Sequence, residues 1–161
     1  MVDYRMLRMQ LMALTQEEPL ALPNLCNASA LIFEALPELN WAGFYLVWDG
    51  VLVLGPFQGK PACIRIEKGR GVCGTAWEQD KTQRVEDVHA FPGHIACDGA
   101  SRSEIVIPLH RDGAVIGVLD LDSPVRNRFL EEDQAGLEEL AKIIEAFLSK
   151  AEDRIGGGSD E

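Results

Sequence analysis

Apolar residues recur through the first sixteen positions at the spacing of one helix face. Tyr4, Leu7, Leu11 and Leu14 mark a helix over 3–16. Pro19 and Pro23 interrupt that pattern. It resumes over 24–36, with Leu25, Ala28, Leu31, Ile32 and Ala35 on one side, until Pro37 closes it. The character of the chain then changes. Residues 41–48 and 51–54 are rich in aromatic and β-branched side chains, and Asp49-Gly50 between them is a hairpin signal. Residues 62–66 predict another short strand. Gly69-Arg70-Gly71 turns the chain into a short helix over 72–78, and 82–85 predict a strand before a loop over 89–101. The clearest strand pair is 103–109 with 114–121, joined through Arg111-Asp112-Gly113. A last helix covers 131–151, with Leu137, Leu140, Ile143, Ile144 and Phe147 apolar and acids crowding its first turn, as the helix dipole favours.

Helices flanking a run of hairpins predict an α+β fold: a central antiparallel sheet with the terminal helices packed on one face. Sustained β-α-β alternation, internal repeats and heptads are absent from the sequence. The length of 161 residues suits one domain, expected over 1–155, with a disordered Gly-rich tail over 156–161. The formal charge of −11 argues against nucleic acid, whose phosphates need a basic surface, and against anionic membranes. No apolar run approaches the ~18 residues of a membrane span. The first residues carry an acid early and no apolar signal core, so the expectation is a cytoplasmic protein. Thiols are kept reduced there, and cysteines tend to be inert, metal-bound or catalytic.

Three of the four cysteines fall in the middle third, at Cys63, Cys73 and Cys97. Cys26 lies in the second helical pattern and reads as a small buried or half-buried residue. Cys73 follows Lys68 and Arg70 near a predicted helix start, a setting that favours a thiolate. Cys97 sits in Gly-rich loop sequence, three residues after His94. A thiol redox cycle needs one cysteine to attack and another to resolve the oxidised product, and this set can supply both. A zinc site from these cysteines with His89 or His94 is the metal alternative, although the close C-x₂₋₄-C knuckle of structural zinc is missing.

The acids form a second constellation. Asp120 and Asp122 are two apart on a strand and point to one side. Counting outward from a turn centred on Asp112 brings Glu104 opposite Asp120, so all three would share a patch. Like charges that close raise at least one pKa and supply a proton donor near neutrality. A solvated strand end is the plain alternative.

The segments Gly69-Arg70-Gly71-Val72-Cys73-Gly74-Thr75-Ala76, Glu86-Asp87-Val88-His89, Gly93-His94-Ile95-Ala96-Cys97-Asp98, Ser103-Glu104-Ile105-Val106-Ile107-Pro108-Leu109 and Ile116-Gly117-Val118-Leu119-Asp120-Leu121-Asp122-Ser123 resemble the free methionine-(R)-sulfoxide reductases, which are GAF-domain enzymes. The resemblance covers about 22–146. It implies a sheet of about six strands, no bound cofactor, and reduction of free L-methionine-(R)-S-oxide with electrons from thioredoxin. By position, Cys97 corresponds to the catalytic cysteine, Cys63 to the resolving one and Cys73 to a supporting redox cysteine. Glu104, Asp120 and Asp122 correspond to the acids around the substrate, and Trp41 and Tyr45 to its aromatic walls. Trp41 equally suits a core position in the first strand. The implied chemistry is attack by Cys97 on the sulfoxide sulfur, protonation of its oxygen by Asp122 or Glu104, a sulfenic acid on Cys97, and condensation with Cys63. The other carboxylates would hold the ammonium group, and backbone amides of the Cys97 loop its carboxylate. A homodimer is compatible with the resemblance. The competing classes are a ligand-binding GAF domain without catalysis and a peroxide-oxidised redox sensor.

Overall fold

The computed structural model describes residues 1–94 and 99–156. Helices α1 (Tyr4–Thr15) and α2 (Ala21–Ala35) lead into strands β1 (Trp41–Trp48) and β2 (Val51–Gly59). Strand β3 (Arg65–Ile66), helix α3 (Gly71–Gln79), strand β4 (Gln83–Val85) and a 3₁₀ turn (Val88–Ala90) follow. Strands β5 (Ser103–Arg111) and β6 (Ala114–Ser123) and helix α4 (Glu131–Lys150) complete the order. Among the described residues the six strands make one sheet, β3-β2-β1-β6-β5-β4, with every neighbouring pair antiparallel. This is the α+β arrangement that the hairpin pattern predicts.

Alternation along the strands sorts the side chains onto two faces. Phe44, Ile105, Ile107, Leu119 and Leu121 meet Leu7 and Leu11 of α1, Leu25 and Ile32 of α2, and Leu137, Leu140 and Ile144 of α4. Each such buried side chain contributes about 1.5–3 kcal/mol. The opposite face carries Tyr45, Leu52, Val106 and Val118, covered by Val72, Ala76 and Trp77 of α3. The terminal helices therefore share one face, as expected, and α3 has the other.

Several local expectations are corrected. Helix α2 starts at Ala21, so Pro23 lies in its first turn, where the missing N–H has no helical partner to lose. Its first amides, Ala21 and Leu22, donate to the Asp153 carboxylate at 2.6 and 3.0 Å, a cap supplied from the far end of the chain. Leu14 is exposed, and Thr15 is buried instead, with its hydroxyl on the Leu11 carbonyl at 2.8 Å. Cys26 is exposed rather than buried. Strand β2 runs on past residue 54 to Gly59 because the register shifts between Gly43 and Tyr45. Gly55 and Pro56 fall in that irregularity, where no ladder amide is required of proline. Gly43 makes room for it, since a Cβ there would stand 2.3 Å from Phe57 Cβ. Of the strand expected over 62–66, just Arg65–Ile66 pairs with β2. Gly156, from the expected tail, accepts a hydrogen bond from Arg111 at 2.6 Å, and the rest of that tail, 157–161, lies outside the described residues.

The turn between β5 and β6 sets the geometry of the functional face. Asp112 and Gly113 both have positive φ, 54° and 80°, which makes a two-residue turn. That turn pairs Arg111 with Ala114 and His110 with Val115, and a bulge at Leu109/His110 then moves the register by one. Glu104 consequently lies opposite Asp122, and Asp120 opposite Val106, which corrects the pairing counted from Asp112. Beside this bulge the His110 amide donates to Glu145 on α4 at 2.6 Å. The His110 ring bridges the same Glu145 oxygen at 2.6 Å and Asp80, the αL cap of α3, at 2.5 Å.

Partial burial of His110 disfavours its charge, but the hydrogen bonds to Asp80 and Glu145 outweigh burial and raise its pKa above 6.5. The folded pKa lies above the unfolded one, so the added stability is complete below pH 6.5 and is lost as pH rises through the folded value. The ring is a third exposed, so solvent screening holds the effect to about 1 kcal/mol or less. Urea midpoints of the wild type and His110→Gln should differ most below pH 6.5 and converge as pH rises through the raised His110 value. A gap that is constant across this range would rule out the charged His110 bridge.

Candidate functional site

The bulge leaves Glu104, Asp120 and Asp122 on the α3 face of the sheet. Trp41, Asp122 and Glu104 form one row across β1, β6 and β5, and Gly43, Asp120 and Val106 form the next. Glu104 and Asp120 are 7% and 5% exposed and Asp122 is half-buried, so the first two acids are not a solvated strand end. The first turn of α3 covers them. Gly74 lets the loop before α3 fold tightly against that turn, because a Cβ there would stand 2.5 Å from the Glu67 carbonyl. Cys73, third residue of α3, is 4% exposed. Its sulfur and one oxygen each of Glu104 and Asp120 lie within 4.8 Å of one another.

Burial governs the electrostatics. It raises the Glu104 carboxyl well above its ordinary value, and the neighbouring charges of Asp120 and Asp122 push the same way. It also raises Asp120, against hydrogen bonds with Glu104 and Cys73 that pull down. The Cys73 thiol is raised by burial first and by the three acids next. This corrects the expectation of a thiolate at a helix start: burial beneath the helix, reinforced by the acids, holds the thiol neutral. Asp120 Oδ1 is buried without a hydrogen-bond partner among the described residues, which marks a place for a donor from a ligand.

A cleft opens above these acids, between Trp41 and Tyr45 on one side and the start of α3 on the other. Its free space is about 50 Å3, room for a few waters rather than a whole amino acid. Trp41 stacks on Phe57 at 5.2 Å and on Tyr45 at 5.9 Å. It thus closes the core and faces the cleft together. Both aromatic side chains also hold the segment that carries Cys63. Trp41 Nε1 donates to the Lys60 carbonyl at 3.1 Å, and the Tyr45 hydroxyl to the Cys63 carbonyl at 2.9 Å. Burial, with the charges of Asp120 and Cys73 next, raises the Tyr45 phenol far above its usual value, so it stays a neutral donor.

Cys63 is half-buried and disulfide-bonded, whereas Cys26 and Cys73 are free thiols. A bonded Cys63 has no thiolate for a metal, which weakens the zinc alternative. Cys97, the expected nucleophile, lies outside the described residues. Sequence reasoning placed none of Arg70, Ser101 and His94 beside the substrate, and all three line the cleft. Arg70 brings a cation to an acidic site. Ser101 accepts a hydrogen bond from Asn40 at 3.0 Å. His94 faces His89 edge-on at 6.1 Å, and its pKa is lowered by partial burial and by that neighbour.

An antiparallel sheet with the terminal helices on one face and a covered cleft on the other is the architecture of a GAF domain, and residues 28–149 match the GAF domain family. Over 137 residues the chain is 57% identical to the free methionine-R-sulfoxide reductase of Escherichia coli (strain K12), covering 85% of this chain and 83% of that one. The Neisseria meningitidis free methionine-R-sulfoxide reductase, solved in complex with its substrate, superposes with a TM-score of 0.89 at 48% identity, covering 92% of this chain and 89% of that one. The reduced form of Staphylococcus aureus fRMsr superposes at 0.90 with 49% identity, covering 92% and 96%. The chain belongs to the free methionine-(R)-sulfoxide reductases of the GAF-domain family.

The cysteine environments make a direct prediction. With iodoacetamide on the native protein near neutral pH, exposed Cys26 should be alkylated, and Cys73 should stay unmodified until denaturant is added. Mass mapping of the labelled peptides checks this, and labelling of Cys73 at the rate of Cys26 would contradict its burial under α3.

Proposed function

We propose that this protein reduces free L-methionine-(R)-S-oxide to L-methionine, using thiols that thioredoxin recycles, in a reducing compartment such as the cytoplasm. The observation that carries the reading is the acid cluster of buried Glu104 and Asp120 with half-buried Asp122, facing a cleft walled by two aromatic side chains that also anchor Cys63. Membership of the family supports the choice of substrate.

In this reading Cys97 is the nucleophile. Its thiolate attacks the sulfoxide sulfur while a buried carboxylic acid protonates the sulfoxide oxygen. Glu104, held neutral by burial among other acids, is the donor best prepared for that step. Asp122, directly across the strand pair, is the second candidate. Methionine leaves and Cys97 is left as a sulfenic acid. The Cys63 thiol condenses with it, expelling water and forming a disulfide that thioredoxin reduces. Asp120, with a buried oxygen short of a partner, suits the substrate ammonium. Trp41 and Tyr45 wall the side chain. Cys73, neutral and buried against the acids, supports the cluster rather than starting the attack. The small free volume fits a resting, disulfide-bonded form that admits substrate after reduction.

NADPH consumption with thioredoxin and thioredoxin reductase tests this. Turnover is expected with the free R sulfoxide and not with the S epimer or a peptide-bound sulfoxide. Cys97→Ser should abolish turnover even with dithiothreitol. Cys63→Ser should lose thioredoxin-coupled turnover more than dithiothreitol-driven turnover. Absence of turnover by folded, reduced protein would favour a ligand-binding or redox-sensing domain.

The acid is tested separately. Methionine formed in a single turnover of reduced enzyme should decline as pH rises through the raised Glu104 pKa, because the donor loses its proton. Glu104→Gln should slow that step by roughly 10²-fold or more. An unchanged rate in the variant would pass the role to Asp122.

A further inference from the structure

We propose that the exposed segment over 60–65, with the cations that follow it, is the docking surface for the protein dithiol that reduces the Cys63 disulfide. The proposal rests on the reading above and adds to it where the partner binds.

Three observations converge on this segment. First, Cys63 is disulfide-bonded and half-buried, so one of its sides is open to solvent. Second, the next residue, Ile64, is 62% exposed, a large apolar side chain in water directly beside the bond to be reduced. Its backbone carbonyl accepts from Leu54 at 2.9 Å, which fixes the segment in extended register against β2. It leads into β3, an edge strand bonded to β2 on one side. A partner can lie along such an edge and use main-chain hydrogen bonds, with a pocket for Ile64. Third, the charge reverses locally. A chain of net charge −11 carries Lys60, Arg65, Lys68 and Arg70 against the single acid Glu67 between 60 and 70. Lys60, Arg65 and Lys68 are exposed. Lys68 is fixed over the Trp77 ring at 5.1 Å.

An apolar contact ringed by cations fits a partner with an apolar groove and an acidic rim around its reactive thiols. The rest of the surface repels such a partner and this edge attracts it, which speeds productive encounter.

The exchange is balanced. The partner's thiolate bonds to Cys63 Sγ as the existing S–S bond breaks, and the other sulfur leaves as a thiolate and takes up a proton. The partner's second thiol then gives up its proton and attacks its own sulfur in the mixed disulfide, and Cys63 is released as a thiol. The partner dithiol is oxidised to a disulfide by two electrons, and the enzyme disulfide becomes two thiols.

The test compares two reductants on the full chain with free L-methionine-(R)-S-oxide. The variants are Ile64→Glu and the double variant Lys60→Glu with Arg65→Glu, all at exposed side chains outside the cleft. Expected is a rise of roughly tenfold in KM for thioredoxin in each variant, with dithiothreitol-driven turnover unchanged. Added salt should raise the thioredoxin KM of the wild type and leave that of the double variant nearly flat. A thioredoxin KM unchanged in both variants overturns the docking surface, as does an equal loss with dithiothreitol. Lack of dithiothreitol-driven turnover in the wild type overturns the underlying reading, and the proposal with it.

Discussion

A single extra residue in β6, Ile116, decides which chemistry this fold can host. A two-residue turn at Asp112-Gly113 alone would align Glu104 with Leu121 and put it on the face opposite Asp120 and Asp122, since a one-residue slip inverts every side chain. The bulge at Leu109/His110 restores the parity. Beside the bulge the His110 amide donates to Glu145 of α4, and the His110 ring extends the link to the end of α3. The register of the acidic row is thus fixed by contacts among three elements that pack around one end of the strand pair.

The burial of Glu104 and Asp120, with Asp122 half-buried beside them, follows from that register. Desolvation disfavours the ionised forms of Glu104 and Asp120, and the neighbouring acids add to the effect at Glu104. Covering the cluster with apolar side chains would stabilise the domain more, because a buried carboxyl with an unsatisfied oxygen costs about 1–3 kcal/mol. Sites where local stability is given up in this way are where function concentrates. Cys73 fits the same logic. A helix N-terminus ordinarily encourages a thiolate, but here its field is opposed by carboxyls a few ångströms away, and the sulfur is shut off from solvent.

Local patterning made much of the fold legible. Both Asp-Gly turns, helices α1 to α4 and the strand order near each hairpin follow from periodicity and turn chemistry. The acid row was legible as a cluster, since the count from Asp112 had the correct parity, although the opposing partner was two residues out. Features fixed by tertiary contacts were not legible. The cap of α2 comes from Asp153, more than a hundred residues away, and nothing near Pro23 announces it. The path of β2 past Pro56 depends on the shift at Gly43. The exposure of Cys26 and the burial of Cys73 depend on which helix side meets the sheet, and an isolated cysteine gives little signal of that. For Cys97 the family motif supplies a role that spacing alone does not.

The sulfur atoms divide by access, and access is set by the sheet. Cys73 faces inward from α3 onto the acids, where a neutral thiol adds to a proton-holding cluster. Cys63 sits on a segment tied inward at Lys60 and Cys63 by Trp41 and Tyr45, and turned outward at Ile64. The aromatic walls of the cleft are therefore also the anchors of the segment that carries Cys63. A change in their position on substrate entry would be felt at the Cys63 backbone through a single hydrogen bond. That coupling gives a physical reason for both aromatic residues to be hydrogen-bond donors. Phenylalanine at either position would wall the cleft as well, but would leave the segment that carries the disulfide without its inner attachment.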